Sequence, residues 1–246
     1  MTGTPMISSA ERRRETIDRV AAALGERLDD SGSVMTNGWR TLSPGSLYVM
    51  GLNPGGETVR HKEYTIRRNL EELDDSTAAL KDGDNGRFET NVRAMVDAFG
   101  LQANAVFMTN AIFLRTQSQL GLNGRVHDLF EACWTVHAWF LSIVRPKVIL
   151  CLGNGRNGSS ATGLIAGKAG IDWDKDVQYA VNEPSRARFR HGCWFDAEVA
   201  LPDTSEHHLS CTVVGAPHPS RFGATDGLRS LAQRLMSADP RRGKSG

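Results

Sequence analysis

Four apolar runs in this chain stop at residues whose types could do chemistry. The run "LYVMG" (47–51) ends in Gly51-Leu52-Asn53-Pro54-Gly55-Gly56, and "AVFMTN" (105–110) ends at Asn110. "KVILCLG" (147–153) opens into "GNGRNGSS", and "CTVVGAPHPS" (211–220) closes on His218-Pro219-Ser220. Two side-chain amides and an imidazole supply directed donors and acceptors, while an amide cannot serve as a strong base. The usual hydrolytic equipment is missing: there is no nucleophile elbow with a Ser-His-Asp order and no metal-spaced His/Cys cluster. "GNGRNGSS" lacks the Lys-Ser/Thr of a P-loop and reads as a strand-to-helix connection. Taken singly, Asn53 also reads as an Asx-turn residue and Asn110 as a helix cap. Adjacent His207 and His208 read as solvated rather than metal-binding.

The elements that must position these residues follow from the pattern. Continuous rather than alternating apolar character marks strands covered on both faces. Helical patterns separate the runs: "RFETNVRAMVDAFGL" precedes the second, "RVHDLFEACWTVHAWFLSIVRP" the third, "SATGLIAGKAG" follows the third and "ATDGLRSLAQRLMSA" closes the fold. Such alternation predicts a single three-layer α/β/α domain around a central, mainly four-stranded parallel sheet. In such a sheet ligands bind outside the carboxyl ends of the strands, so the four chemical stretches are expected around one crevice. The domain is expected over 45–238, after a tail and an amphipathic helix in 1–44 with Ser9 as N-cap and Ile17, Val20, Leu24 and Leu28 on its stripe. Between 171 and 209 the sequence suggests a hairpin or an edge decoration, Trp134 and Trp139 read as core, and 239–246 reads as a disordered tail.

Bulk properties bound the rest. A chain of 246 residues, 40% hydrophobic and 23% charged with a net charge of +1, is an ordinary globular composition that neither demands nor excludes a nucleic-acid partner. No apolar stretch approaches the roughly 18 residues a membrane span needs. The first residues lack a signal-peptide h-region, and Cys133, Cys151, Cys193 and Cys211 are scattered without a CxxC pair. A cytoplasmic protein with reduced core thiols and no metal is expected.

In order and each at a strand end, "GLNPGG", "MTNA", "RPKVILCLG" and "HPS" resemble the motifs of the uracil-DNA glycosylase superfamily. The Gly-x-Asn-Pro-Gly form is nearest its mismatch-specific and single-strand-selective branches, and the likeness covers roughly 45–238. The resemblance implies a monofunctional glycosylase that needs no cofactor and hydrolyses the N-glycosidic bond of a base flipped out of DNA. Asn53 would orient the attacking water, and His218 would donate to the pyrimidine O2 as charge develops on the leaving base. Asn110 would read the base edge, with Gly51, Leu52 and either Tyr64 or Phe113 around it. Gly51, Gly55 and Gly56 would let the main chain approach the nucleotide. Ser220 would meet a phosphate while Arg221 and Phe222 press into the gap. "RHKEYTIRR" and "RARFRH", the latter with Arg186 and Arg188, would face the phosphates. Runs of arginine at 12–14 and 186–190 equally suit solvated faces.

Two departures from the family pattern bear on the substrate. The segment after the first motif, "GETVRHKEYTIRRNLEELDD", lacks the usual Pro-Phe or Tyr/Phe arrangement, and Arg221 replaces the usual proline after HPS. Both weaken the case for plain uracil; a 5-substituted pyrimidine, such as a sugar-decorated cytosine in viral DNA, fits at least as well and would make the protein a defence factor. Ordinary uracil excision in DNA repair is the alternative. A catalytically silent nucleic-acid-binding module and a hydrolase of free nucleosides are the rivals from other classes. No lysine stands at a nucleophile position, so no lyase step is expected.

Overall fold

A computed structural model describes residues 8–55, 64–77, 86–116, 122, 124–156, 160–181, 190–201 and 208–237. Helix α1 (Ser9–Leu24) leads into β1 (Leu47–Gly51), α2 (Ile66–Glu72), α3 (Arg87–Asp97) and β2 (Phe107–Asn110). Then come α4 (Val126–Val144), β3 (Val148–Leu152), α5 (Ala161–Lys168), β4 (Gln178–Tyr179), β5 (Cys193–Ala200), β6 (His208–Ala216) and α6 (Asp226–Ser237). The sheet order is β2-β1-β3-β6-β5-β4. The first four strands run parallel, as the sequence predicts. The irregular region contributes the other two: β5 lies antiparallel to β6, and β4 antiparallel to β5. The alternating burial of β5 marks a strand with one face open, unlike the fully buried β2 and β3.

Successive side chains of β1 point to opposite faces. Leu47 and Val49 pack with Val92 and Met95 of α3 and Leu228 of α6, whereas Tyr48 and Met50 join Phe140 of α4, Leu164 of α5 and Val20 of α1. Two-sided cover is why an unbroken apolar run suits this strand. The N-terminal segment belongs to the same core. Helix α1 packs on α4, where the Trp139 indole N–H donates to the Thr16 hydroxyl at 3.2 Å, so Trp139 is a half-buried helix contact and only Trp134 is buried. Met35 bridges to Thr109 beside β2. The cap of α1 is Ser8 rather than Ser9, because Ser8 and Glu11 close a reciprocal capping box. The sequence pattern gives no sign of α2, because its charged surface hides the two residues, Ile66 and Leu70, that it buries.

Inside the α4 layer lies a polar pair. His137 is fully buried, with Nε2 3.1 Å from the Ala111 carbonyl oxygen and Nδ1 3.0 Å from the Tyr48 hydroxyl. A carbonyl can only accept, so Nε2 carries the proton and Nδ1 accepts from Tyr48. Burial pushes the His137 pKa from its ordinary 6.5 down to about 4. All four cysteines are buried and free, and burial pushes the thiols of Cys133, Cys193 and Cys211 up to about 12. No helix among the described residues is long and apolar enough to cross a membrane.

The depressed His137 pKa has a defined consequence for stability. Above pH ~6.5 the ring is neutral in both folded and unfolded chains and its contribution is constant. As pH falls from there towards 4, only the unfolded chain takes up the proton, so stability drops by about 3 kcal/mol in total. Urea unfolding followed across this range checks it. Tyr48→Phe, which strips the donor from Nδ1, is expected to cost about 1–3 kcal/mol at neutral pH by the same measurement.

Candidate functional site

Register decides what meets at the carboxyl edge of the sheet. Thr109, Met50, Cys151 and Gly215 form one row across the four parallel strands. Gly51 pairs with Asn110 in the next row, and Leu152 with Ala216. Asn53 and His218 each lie two residues beyond that row, on strands separated by β3. Their backbones are therefore on the order of 10 Å apart, two strand spacings. Helices α4, α5 and α6 follow parallel strands, and α3 precedes one, so all four begin at this edge. Their N-terminal N–H groups favour negative charge there.

The first motif is zipped to the segment after β2. The Ala111 N–H donates to the Gly51 carbonyl at 2.8 Å, Ile112 to Leu52 at 2.9 Å, and Thr116 to Pro54 at 3.3 Å. Asn53 is held between these strips. Its Nδ2 donates to the Thr116 hydroxyl at 2.8 Å and to the carbonyls of Pro54 at 3.2 Å and Leu114 at 3.5 Å. Carbonyls demand the nitrogen on this side, so the orientation of the amide is set. Asn53 Oδ1 accepts no hydrogen bond from the described residues and is left as an oriented acceptor.

Asn110 presents a different picture. It is only 9% exposed, and its side-chain amide makes no hydrogen bond among the described residues. Its amide is not among the fully buried unpaired polar atoms, so it keeps some contact with solvent. Gly51 is what gives it room: a Cβ on Gly51 would lie 2.5 Å from Asn110 Oδ1. The space over this glycine is filled by Asn110 itself, so Gly51 admits a side chain of the protein and not a nucleotide. Over the exposed Gly55 there is nothing within 4 Å.

His218 stands two residues past the end of β6 and is partly exposed. The Ser220 N–H lies 3.3 Å from Nδ1 and the Ser220 hydroxyl 2.7 Å from it. A backbone N–H can only donate, so Nδ1 is an acceptor and the proton sits on Nε2. Partial desolvation first, and the Arg221 charge second, hold the pKa of His218 below the ordinary histidine range. At neutral pH this is an uncharged ring with an N–H to offer. Ser220 therefore spends its hydroxyl on His218, while Arg221 is exposed and Phe222 half-buried in the turn that returns to the His218 carbonyl.

No family model matches this chain, and no curated protein matches it either.

The other expected residues divide. Leu52 is half-buried, and Tyr64 is 58% exposed, close enough for its hydroxyl to influence Arg115. Phe113 is not available as a stacking ring: it is fully buried, 5.1 Å from the His137 ring, because the strip 111–114 turns it inwards. Gly56, Arg186 and Arg188 lie outside the described residues, as do parts of "RHKEYTIRR", "RARFRH" and "GNGRNGSS", His207, and the tails 1–7 and 238–246. Ser160 of the glycine loop caps α5, which supports its reading as a connection.

Sequence reasoning missed Arg115 and Thr116. The Arg115 guanidinium donates to the Gly55 carbonyl, and desolvation lowers its pKa. A cavity of about 340 Å³ opens beside it, with Arg27, Arg125, Thr116 and Asp30 in its wall. Nothing in "LRTQ" signals this role, which depends on the first motif folding across it. Another cavity, of about 390 Å³, lies at the amino end of β3 around Lys147 and Asp196, away from this edge.

The two glycines of the first motif should behave differently. Gly51→Ala must displace the Asn110 amide or the β1–β2 pairing, and is expected to cost about 1–3 kcal/mol in urea unfolding. Gly55→Ala, with open space around it, should fall within about 0.5 kcal/mol of the parent protein.

Proposed function

We propose that the chain is a monofunctional DNA glycosylase acting on a pyrimidine turned out of the strand. The observation that supports this reading is the Asn110 amide, with no protein hydrogen-bond partner among the described residues, at the same sheet edge as Asn53 and His218. An amide with one donor and one acceptor group matches the donor–acceptor edge of a pyrimidine.

The remaining groups have roles in one hydrolysis. Asn53 Oδ1 accepts a hydrogen bond from a water and holds it against the sugar C1′. The C1′–N1 bond breaks with its electron pair leaving on the base, and His218 Nε2–H donates to the base O2 where the negative charge collects. The water oxygen bonds to C1′, its proton passes to solvent, and the free base takes up a proton. A preorganised donor at developing charge is worth about 3–4 kcal/mol. Helix N-termini around the edge favour both the departing anion and the flanking phosphates. Neither the amide nor the neutral imidazole provides a nucleophile for a lyase step.

The wall of the crevice supports one substrate within this class. Phe113 is withdrawn into the core, while Thr116 and Arg115 border Asn53. A wall of hydroxyl and guanidinium suits a pyrimidine with a polar substituent at C5 better than plain uracil, and a modified cytosine in viral DNA is the corresponding defence substrate. Uracil excision in repair is the second reading, favoured by the exposed ring of Tyr64 near Arg115, whose guanidinium meets the Gly55 carbonyl.

An abasic-site assay on oligonucleotides carrying uracil, mismatched thymine, hydroxymethylcytosine or glucosylated hydroxymethylcytosine tests this. Release of a base is expected, with His218→Ala lowering the single-turnover rate about a hundredfold to a thousandfold and Asn53→Ala having a loss of the same order. Because its pKa lies below the ordinary range, His218 stays neutral through neutral pH. The rate should be level there and fall only at more acid pH, where protonating Nδ1 removes the acceptor for the Ser220 N–H. Release of no base, or release indifferent to both substitutions, rules out the assignment. Turnover of uracil alone would leave the repair reading and remove the modified-base one.

A further inference from the structure

Only two large hydrophobic side chains among the described residues are exposed, Tyr64 at 58% and Phe88 at 38%. Phe88 is the more informative. It occupies the first turn of α3, whose apolar stripe continues through Val92, Met95 and Val96, all buried against the sheet. The helix begins at the carboxyl edge, so the stripe overhangs the end of the sheet and its first member has no strand beneath it. Phe88 instead lies beside the last motif, its ring centroid 6.1 Å from that of His218 and tilted 50° to it. The same turn grips the loop that carries His218. The Arg87 guanidinium donates to the Arg221 carbonyl at 2.8 Å, and the Asn91 amide to the Pro219 carbonyl at 2.6 Å. Gly223 passes so close that a Cβ there would lie 2.8 Å from Asn91 Oδ1. Phe88 and His218 therefore ride on one braced unit, and an exposed ring is held at a fixed place beside the site.

We infer that Phe88 is a stacking platform for the base next to the everted nucleotide, on the His218 side of the crevice. The inference rests on the glycosylase reading and adds the neighbouring nucleotide to it. The imidazole offers the everted base an edge N–H, whereas Phe88 offers a face; with the two rings 6.1 Å apart and tilted 50°, the open face of Phe88 is assigned to the next base. A neighbouring base is free to stack on a side chain only where it is unpaired, which makes a single strand or a locally opened duplex the preferred partner.

The test uses the full chain and a short single-stranded oligonucleotide with a non-hydrolysable 2′-fluoro nucleotide at the target position, followed by fluorescence anisotropy. Phe88→Ala is expected to weaken binding about fivefold to a hundredfold, the range for one base stacked on one aromatic ring. Phe88→Trp should restore the affinity and Phe88→Leu should not, because the base needs a flat π face. The slope of log Kd against log salt should match the parent protein in all three, since no phosphate contact is lost. Binding by Phe88→Ala or Phe88→Leu as tight as that of the parent overturns the inference, and so does equal weakening in Phe88→Ala and Phe88→Trp. If base release and its dependence on His218 persist in that case, the glycosylase reading stands alone. A parent protein that neither binds the strand nor releases any base overturns both.

Discussion

Parallel backbone pairing is the constraint from which the rest of this molecule follows. Hydrogen bonds between β2, β1, β3 and β6 tie Thr109, Met50, Cys151 and Gly215 into one row. Side chains alternate in their facing along a strand, so a slip of one residue on any of these strands would turn its inward set outwards. The cores on both faces of the sheet resist such a slip. Asn53 and His218 come level, two residues past the row that holds Asn110, because burial of Tyr48, Phe107, Ile149 and Val213 on one face, and of Val49, Met108 and Leu150 on the other, fixes this register.

Polar groups at this edge are held by partners that leave a defined valence open. Thr116 and two carbonyls take the nitrogen of Asn53 and leave its oxygen. Ser220 takes Nδ1 of His218 and leaves the Nε2 proton. Asn110 is given space by Gly51 and no partner among the described residues. Further back, His137 spends both nitrogens inside the core, one on the carbonyl of Ala111, the residue that follows Asn110. A side chain whose unused atom is set by its used ones is already oriented before a ligand arrives, which lowers the cost of binding.

The rim is unlike the floor. On the α1–α4 side it carries Arg27, Arg115 and Arg125 around a cavity shared with Leu114, Leu122 and Leu129, and on the α3 side a braced turn with Arg87 and Phe88.

What the sequence by itself determined is the set of strands and what stands at their ends. Apolar runs, glycines and prolines act through local sterics and burial, so "LYVMG", "KVILCLG" and the four helical patterns were legible, as was the parallel four-stranded centre. Elements whose burial is slight or one-sided, such as α2 and the β4–β5 extension, left a weaker trace. Tertiary structure alone decided which atom of each polar side chain is spent and which is left. Phe113 and Tyr64 look equally aromatic in the sequence, yet the pairing of 111–114 with the first motif buries one and leaves the other outside. Thr116 and Phe88 acquire their positions from Asn53 and His218, residues far away along the chain. A hydrogen bond or a ring contact between distant residues is a property of their meeting, and only the folded sheet brings them together.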